Sequence, residues 1–172
     1  MIRVATVFSG IGSIEHALDR LQIPHQIVFA CDNGDIPVEY DEKEELAKIK
    51  KMKSPKEKKC YVDDLYSFQS TKKNYVKKSY MANYTIKEED FHLDIKLLDG
   101  TDYKNRVDLF VGGSPCQSFS MVGKRKGLED SRGLLIFQFC RLVNEIKPKV
   151  FIYENVRGIL SHDGGKTWEK IQ

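Results

Sequence analysis

Val107-Asp-Leu-Phe-Val-Gly-Gly-Ser-Pro-Cys-Gln-Ser-Phe-Ser120 is the stretch whose reading decides the fold. Val107 to Val111 is short, apolar and β-branched, and two glycines follow it, which is the pattern of a buried strand. The chain turns at Gly112 and Gly113, and the ring of Pro115 stiffens the turn by fixing φ. Cys116 then stands just past the strand's C-terminal end, the edge at which open α/β sheets bind ligands. A thiol on a rigid turn is placed as a nucleophile, whereas a free cysteine in general is among the most buried residues. The surroundings of Cys116 have to decide between these two readings.

Upstream, Val4 to Phe8 reads as a strand that runs into Ser9-Gly-Ile-Gly-Ser13 and then a helix, Ile14 to Leu21, stopped before Pro24. Gln26 to Cys31 reads as a second strand and ends at Asp32. Strand, glycine turn, helix, strand and acid, in that order, is the nucleotide-binding pattern. The glycines admit a ligand close to the backbone, and the acid is placed to accept hydrogen bonds from a ribose diol. Ser13 stands where a third glycine would be, so a cofactor with a ribose but no pyrophosphate fits better than a dinucleotide.

Between about residues 39 and 90 the pattern degrades into an insertion. Residues 43–78 hold twelve lysines and five acids, a balance of +7, so the rest of a chain that totals +3 carries −4. Such a segment suits a polyanion such as nucleic acid, or it is a solvated insertion kept soluble by its lysines. Leu46, Ile49 and Met52 indicate one short helix, which Ser54-Pro55 breaks. Tyr61, Leu65, Phe68, Tyr75, Tyr80 and Tyr84 follow among lysines, in what reads as an irregular segment. Aromatics in that setting stack bases or, more commonly, anchor the segment to a core.

Downstream order returns. Phe91 to Ile95 reads as a third strand carrying Asp94. After Cys116 comes a loop rich in glycine and charge, Ser118 to Arg132. Leu135, Phe139, Leu142, Val143 and Ile146 then share one helical face, Pro148 ends that helix, and Val150 to Tyr153 is a fifth strand ending at Glu154-Asn155. Lys166 to Gln172 begins a further helix. Right-handed crossovers bring the strand ends to one side of the sheet. Gly10, Gly12, Asp32, Asp94, Cys116 and Glu154 therefore converge, and that convergence favours the nucleophile reading of Cys116.

No apolar run reaches the roughly 20 residues of a membrane span, so no membrane partner is expected. The four cysteines form no Cys-x-x-Cys pair, which argues against zinc and for a reduced, intracellular setting. No metal is expected.

Phe8-Ser-Gly-Ile-Gly12, Gly113-Ser-Pro-Cys-Gln-Ser-Phe-Ser120, Gly127-Leu-Glu-Asp-Ser-Arg-Gly133 and Glu154-Asn-Val156 resemble, in order, the motifs of the cytosine-C5 DNA methyltransferases. The resemblance covers residues 1–37 and 80–172. It implies an α/β, Rossmann-like fold of the S-adenosylmethionine-dependent methyltransferases, with a mostly parallel sheet incomplete at its C-terminal side. Residues 1–172 would be a partial catalytic domain with the insertion at about 39–90. The resemblance further implies S-adenosyl-L-methionine as cofactor and double-stranded DNA as partner. By the same resemblance Cys116 attacks C6 of a flipped-out cytosine, Glu154 holds N3 and the exocyclic amine, and Asn155 braces the cysteine loop. Phe8, Gly10, Ile11 and Gly12 correspond to the cofactor loop, Asp32 with Asn33 to the ribose site, and Asp94 with Ile95 to the adenine contacts. Asp99 is a second candidate for the adenine contact. Pro115 and Leu135 would line the same pocket. Ser118, Lys124, Arg125, Lys126 and Arg132 would grip DNA as their loop closes.

Family members continue with an arginine-bearing strand, a target-recognition domain and a segment that returns to the cofactor pocket, none of which lies within these residues. A second polypeptide or a C-terminal half is therefore an expected partner. Three further readings stand beside a split or truncated enzyme: a non-catalytic S-adenosylmethionine-binding remnant or regulatory subunit, an RNA cytosine methyltransferase, and, disfavoured by Ser13 and Cys116, an NAD oxidoreductase.

Overall fold

A computed structural model describes residues 1–115 and 135–171. Five strands form one sheet: β1 (Ile2–Val7), β2 (His25–Cys31), β3 (Phe91–His92), β4 (Leu109–Gly112) and β5 (Val150–Tyr153). Their order is β3-β2-β1-β4-β5. Every pairing is parallel, with Ala5 of β1 level with Phe29 and Phe110 on either side. The order reverses between β1 and β4, and in parallel sheets the crevice at such a reversal, beyond the strands' C-terminal ends, is where ligands sit.

The alternation of each strand sends side chains to two layers. One face carries Ala5, Val7, Phe29, Cys31 and Phe110, which pack on α5 (Leu135–Ile146) and on the 3₁₀ turn Gly100–Tyr103. The Phe110 and Phe139 rings stack there with centroids 4.9 Å apart. Gly112 belongs to the same packing: a Cβ on it would lie 2.7 Å from Val7 Cγ2 and 2.9 Å from the Phe139 ring. The α5 stripe read from the sequence is therefore the helix's buried face.

The other face takes α1 (Ser13–Arg20) and part of the insertion. The insertion is more regular than its sequence implied, with three helices, α2 (Glu42–Ile49), α3 (Pro55–Gln69) and α4 (Tyr75–Asn83). Each begins with a side-chain cap, Asp41, Ser54 and Asn74, which accepts a backbone N–H three residues on. Ser54-Pro55 thus starts a helix as well as ending one, because proline at the first helical position lacks only an N–H that would be unpaired there. Tyr80 is fully buried and Tyr66 nearly so, whereas Phe68 and Tyr75 are exposed. Lys48, Lys58, Lys59 and Lys77, four of the twelve lysines, are engaged with carboxylates of Glu44 and Glu45, Asp99 and Asp102, Asp63, and Glu88. Among the described residues no helix is long and apolar enough to cross a membrane.

Two strands are shorter than read. The third spans Phe91–His92, so Asp94 lies beyond it, and the fourth begins at Leu109. Near the C-terminus α6 (Gly158–Ser161) and α7 (Lys166–Ile171) bring Ile159, Trp168 and Ile171 against Ile136.

Gly12 precedes α1 at φ +90°, its carbonyl accepting from the Tyr84 hydroxyl at 2.7 Å. A Cβ there would lie 2.1 Å from Tyr84 Cε2. Gly12→Ala should cost about 2 kcal/mol or more, from the left-handed backbone and the clash together. Adding Tyr84→Ala should remove the clash but leave the backbone strain. Denaturant unfolding of both variants checks this, and an unchanged midpoint for Gly12→Ala would rule it out.

His92 is buried, and its Nε2 lies 2.6 Å from the Tyr103 hydroxyl. Burial, helped by Lys59 and Lys77, pushes its pKa down to about 3. An unfolded histidine titrates near ~6.5, so below that pH the unfolded chain binds a proton that the fold refuses. Stability is thus lost as pH falls, by at most ~1.4 kcal/mol per unit from this group. His92→Phe should flatten the thermal-midpoint profile between about pH 6.5 and 5, above the range in which carboxylates titrate. Parallel profiles for the two proteins would contradict a buried neutral imidazole.

Candidate active site

The C-terminal ends of β1, β2, β3 and β4 open onto a cleft of about 820 Å³. Seven of the residues proposed from sequence line it: Phe8, Asp32, Asn33, Asp94, Ile95, Pro115 and Leu135. Gly113 lines it as well.

Two of the lining carboxylates, Asp32 and Asp94, are held by backbone N–H groups. Asp32 Oδ2 accepts the Gly10 N–H at 2.9 Å and Oδ1 the Gly34 N–H at 2.8 Å. The ends of β1 and β2 are thereby tied together across the cleft's floor. Ser9 reinforces the tie: its hydroxyl meets the Thr6 and Cys31 carbonyls and accepts the Cys31 N–H. Phe8 sits between them at φ +54°, a left-handed conformation that a bulky residue adopts only when its surroundings impose it. Asp94 Oδ1 accepts the Lys96 N–H at 2.9 Å. Its Oδ2 accepts two hydroxyls, from Tyr40 at 2.5 Å and Tyr66 at 2.8 Å. Burial, and after it the Asp94 charge, drives both tyrosine hydroxyls far above their ordinary pKa, so they remain donors. Cys31 is buried below the same carboxylates. Burial, then Asp94 and Asp32, hold it as an un-ionised thiol, which leaves it no nucleophilic role.

At the β4 end, Glu154 donates its N–H to the Gly112 carbonyl at 2.9 Å. Its side chain lies against the next residue, since a Cβ on Gly113 would be 2.8 Å from Glu154 Oε2. A side chain there would displace the Glu154 carboxylate. Asn155 Nδ2 reaches the Ser114 carbonyl and Oγ, both at 3.3 Å, and the Tyr153 hydroxyl at 2.9 Å. Tyr153 and Ser114 hydroxyls are themselves 2.5 Å apart. The two turns are thus locked together by a polar cluster one residue from Pro115 and two from Cys116.

Cys116, Ser118, Lys124, Arg125, Lys126 and Arg132 lie outside the described residues. Gly10, Ile11 and Gly12 do not line the cleft. Gly12 packs on Tyr84 instead, and Ile11 is exposed. Asp99 does not line the cleft: it caps the Gly100–Tyr103 turn and pairs with Lys58 at 2.7 Å. The sequence reading missed Tyr40, Tyr66, Ser114 and Tyr153. Tyr66 was within reach, since Lys59, Val62 and Tyr66 form the buried stripe of a 15-residue helix. Tyr40 stands before a helix and carries no periodic signal.

Comparison with known proteins gives the chain's family and fold. A family model described as C-5 cytosine-specific DNA methylase matches residues 64–172, more than half of the chain. The type II methyltransferase M.Eco47II of Escherichia coli is 53% identical over 79 residues, 46% of this chain and 19% of that protein. The orphan methyltransferase M.SPRI of Bacillus phage SPR is 33% identical over 166 residues, 96% of this chain and 29% of its own length. The chain spans less than a third of either relative. The crystal structure of an S. pombe Dnmt2 methyltransferase matches with a TM-score of 0.54 at 21% identity, over 99% of this chain and 41% of that one. That likeness is one of fold, the S-adenosylmethionine-dependent methyltransferase fold. On the strength of its motifs and of the family match, this chain belongs to the C-5 cytosine-specific DNA methylases.

Proposed function

We propose that the chain carries the cofactor-binding and catalytic part of an enzyme that methylates C5 of cytosine in DNA through a covalent adduct on Cys116. One observation carries the reading: Glu154 and Asn155 are braced against Gly113 and Ser114, the turn that leads into Cys116, beside a cleft lined by two anchored carboxylates. The cleft has the size of a small-molecule site, with acceptors suited to a ribose and an amine and apolar walls at Phe8, Ile95, Pro115 and Leu135. These residues fit S-adenosylmethionine. When bound, it supplies an electrophilic methyl group.

Cytosine C5 is too weak a nucleophile to take that group unaided. The Cys116 thiolate adds to C6, forming an S–C6 bond, while Glu154 holds the protonated N3. The resulting enamine places its electron density at C5. After methylation, which would leave the cofactor as its neutral thioether, the C5 proton passes to solvent, N3 returns its proton to Glu154 and the S–C6 bond breaks, returning the thiolate and the aromatic ring. The target atom is hidden in a duplex, so the base is extruded, and Lys124, Arg125, Lys126 and Arg132 hold phosphates meanwhile. Asn155 keeps the cysteine turn fixed relative to Glu154.

We also propose that target recognition comes from a region outside these residues, on a second polypeptide or further along a longer chain. Val150, Phe151 and Ile152 of β5 are each at least half exposed, among the described residues no strand lies beyond β5, and an open apolar edge is a pairing site. Next to it, Phe139, Phe151, Tyr153, Leu160 and Trp168 line a groove of about 600 Å³.

In an active assembly, DNA containing 5-fluorocytosine should trap a covalent adduct on Cys116, because fluorine does not leave as a cation. Cys116→Ala should abolish both the adduct and methyl transfer while S-adenosylmethionine binding persists. An adduct at any other residue would overturn the assignment.

Residues 1–172 alone should not methylate a specific sequence. Activity should appear on adding a polypeptide with the family's target-recognition region, and Val150→Glu with Ile152→Glu should block that rescue. Full sequence-specific methylation by the isolated chain would refute the second proposal, and inactivity in every mixture would point to a non-catalytic remnant.

A further inference from the structure

The inserted segment reaches the cleft directly. Its Asn74 amide donates to the Asp32 carbonyl at 3.0 Å, and its Tyr84 hydroxyl to the Gly12 carbonyl at 2.7 Å. Tyr40 and Tyr66 go further, since both line the cleft and both donate to the same oxygen of Asp94. The loops after β1, β2 and β3 are each held by a polar group from residues 40–84. A segment whose only task is to be anchored does not need its hydroxyls on a carboxylate that faces the cavity.

An ionised carboxylate offers about four acceptor positions. Tyr40 and Tyr66 fill both on Oδ2, and the Lys96 N–H fills one on Oδ1. Among the described residues one remains, on Oδ1, for a single donor. Asp94 is also largely buried, so a carboxylate left without these hydroxyls would be both mobile and poorly solvated. Phenylalanine at either position would keep the ring packing of Ile36, Ile49 and Val62 around Tyr66 and remove only the donor.

We propose that Tyr40 and Tyr66 are positioning residues for the cofactor: they fix the Asp94 carboxylate so that its remaining position on Oδ1 takes the adenine amine. This makes the lysine-rich insertion a wall of the cofactor site. The inference rests on the reading of the cleft as an S-adenosylmethionine site.

The test uses the whole chain and two ligands, S-adenosylmethionine and its analogue with hydrogen in place of the adenine amine. Calorimetry gives both affinities for the wild type and for Tyr40→Phe, Tyr66→Phe and the double variant, with thermal midpoints alongside. The wild type should prefer the amine. The double variant should bind S-adenosylmethionine about tenfold more weakly, in line with lost hydrogen bonds to a charged group, while the analogue's affinity changes little, so that the preference collapses. Equal weakening of both ligands, or a fall in thermal midpoint with the preference intact, would mean that the tyrosines are structural and overturns the inference. A wild type that binds S-adenosylmethionine but not in preference to the analogue also overturns it and leaves the cofactor reading standing. A wild type that binds neither ligand overturns both.

Discussion

The Asp32 carboxylate, shared between the N–H of Gly10 and the N–H of Gly34, is the constraint on which the cleft depends. In a parallel sheet every strand leaves the ladder at the same edge, and the loops there carry backbone donors with no ladder partner. A carboxylate at the end of β2 satisfies two of them and fixes the spacing between the first and second loops. Asp94, one strand further out, takes one such donor, the Lys96 N–H of its own loop. The acids at the strand ends thus have a structural task, and among the described residues each keeps acceptor capacity to spare. Beside Asp32, at the end of β1, Phe8 is held in a conformation it would not choose, which is how a ring comes to form a cleft wall immediately after a buried strand.

The two halves of the edge use different chemistry. On the side of β1, β2 and β3, charged acceptors face a roomy cavity. On the side of β4 and β5, neutral groups from Ser114, Tyr153 and Asn155 make a small closed cluster, and Glu154 is pressed against a residue that has no side chain. The first arrangement suits holding a ligand by its hydroxyls and amine. The second suits holding one loop rigid against another.

Much of this was legible in the sequence because β-branched runs, glycines and strand-end acids report on parallel sheets directly. Asp32, Asp94 and Glu154 could be placed on one edge from strand order alone. What stayed hidden was the insertion. Lysines at high density mask helical periodicity, because their long stems cover apolar surface while their charges read as solvent-facing. Lys59 is as buried as Val62 and lies on the same stripe as Tyr66, which no hydrophobicity pattern reveals. The three capping residues were the available signal, and Ser54-Pro55 was read only for the helix it ends. Asp94 and Asp99 are both acids near the end of one short strand. The structure separates their positions: Asp99 caps the Gly100–Tyr103 turn and pairs with Lys58 across 41 residues, whereas Asp94 lines the cleft.

The placement of β1 also bears on how the chain assembles. Arg3 and Asp108, joined by side-chain and backbone hydrogen bonds, are 105 residues apart, so β1 meets its second neighbour only after most of the chain exists. Contacts that distant in sequence form slowly and leave strand edges bare meanwhile. The polar contacts of Asn74, Tyr80 and Tyr84 are instead with Asp32, Glu15 and Gly12, all within the first 84 residues. Helices α1 to α4 with β1 and β2 can therefore close on one another early. That gives the central strand a protected face during synthesis, well before β4 arrives to complete its pairing.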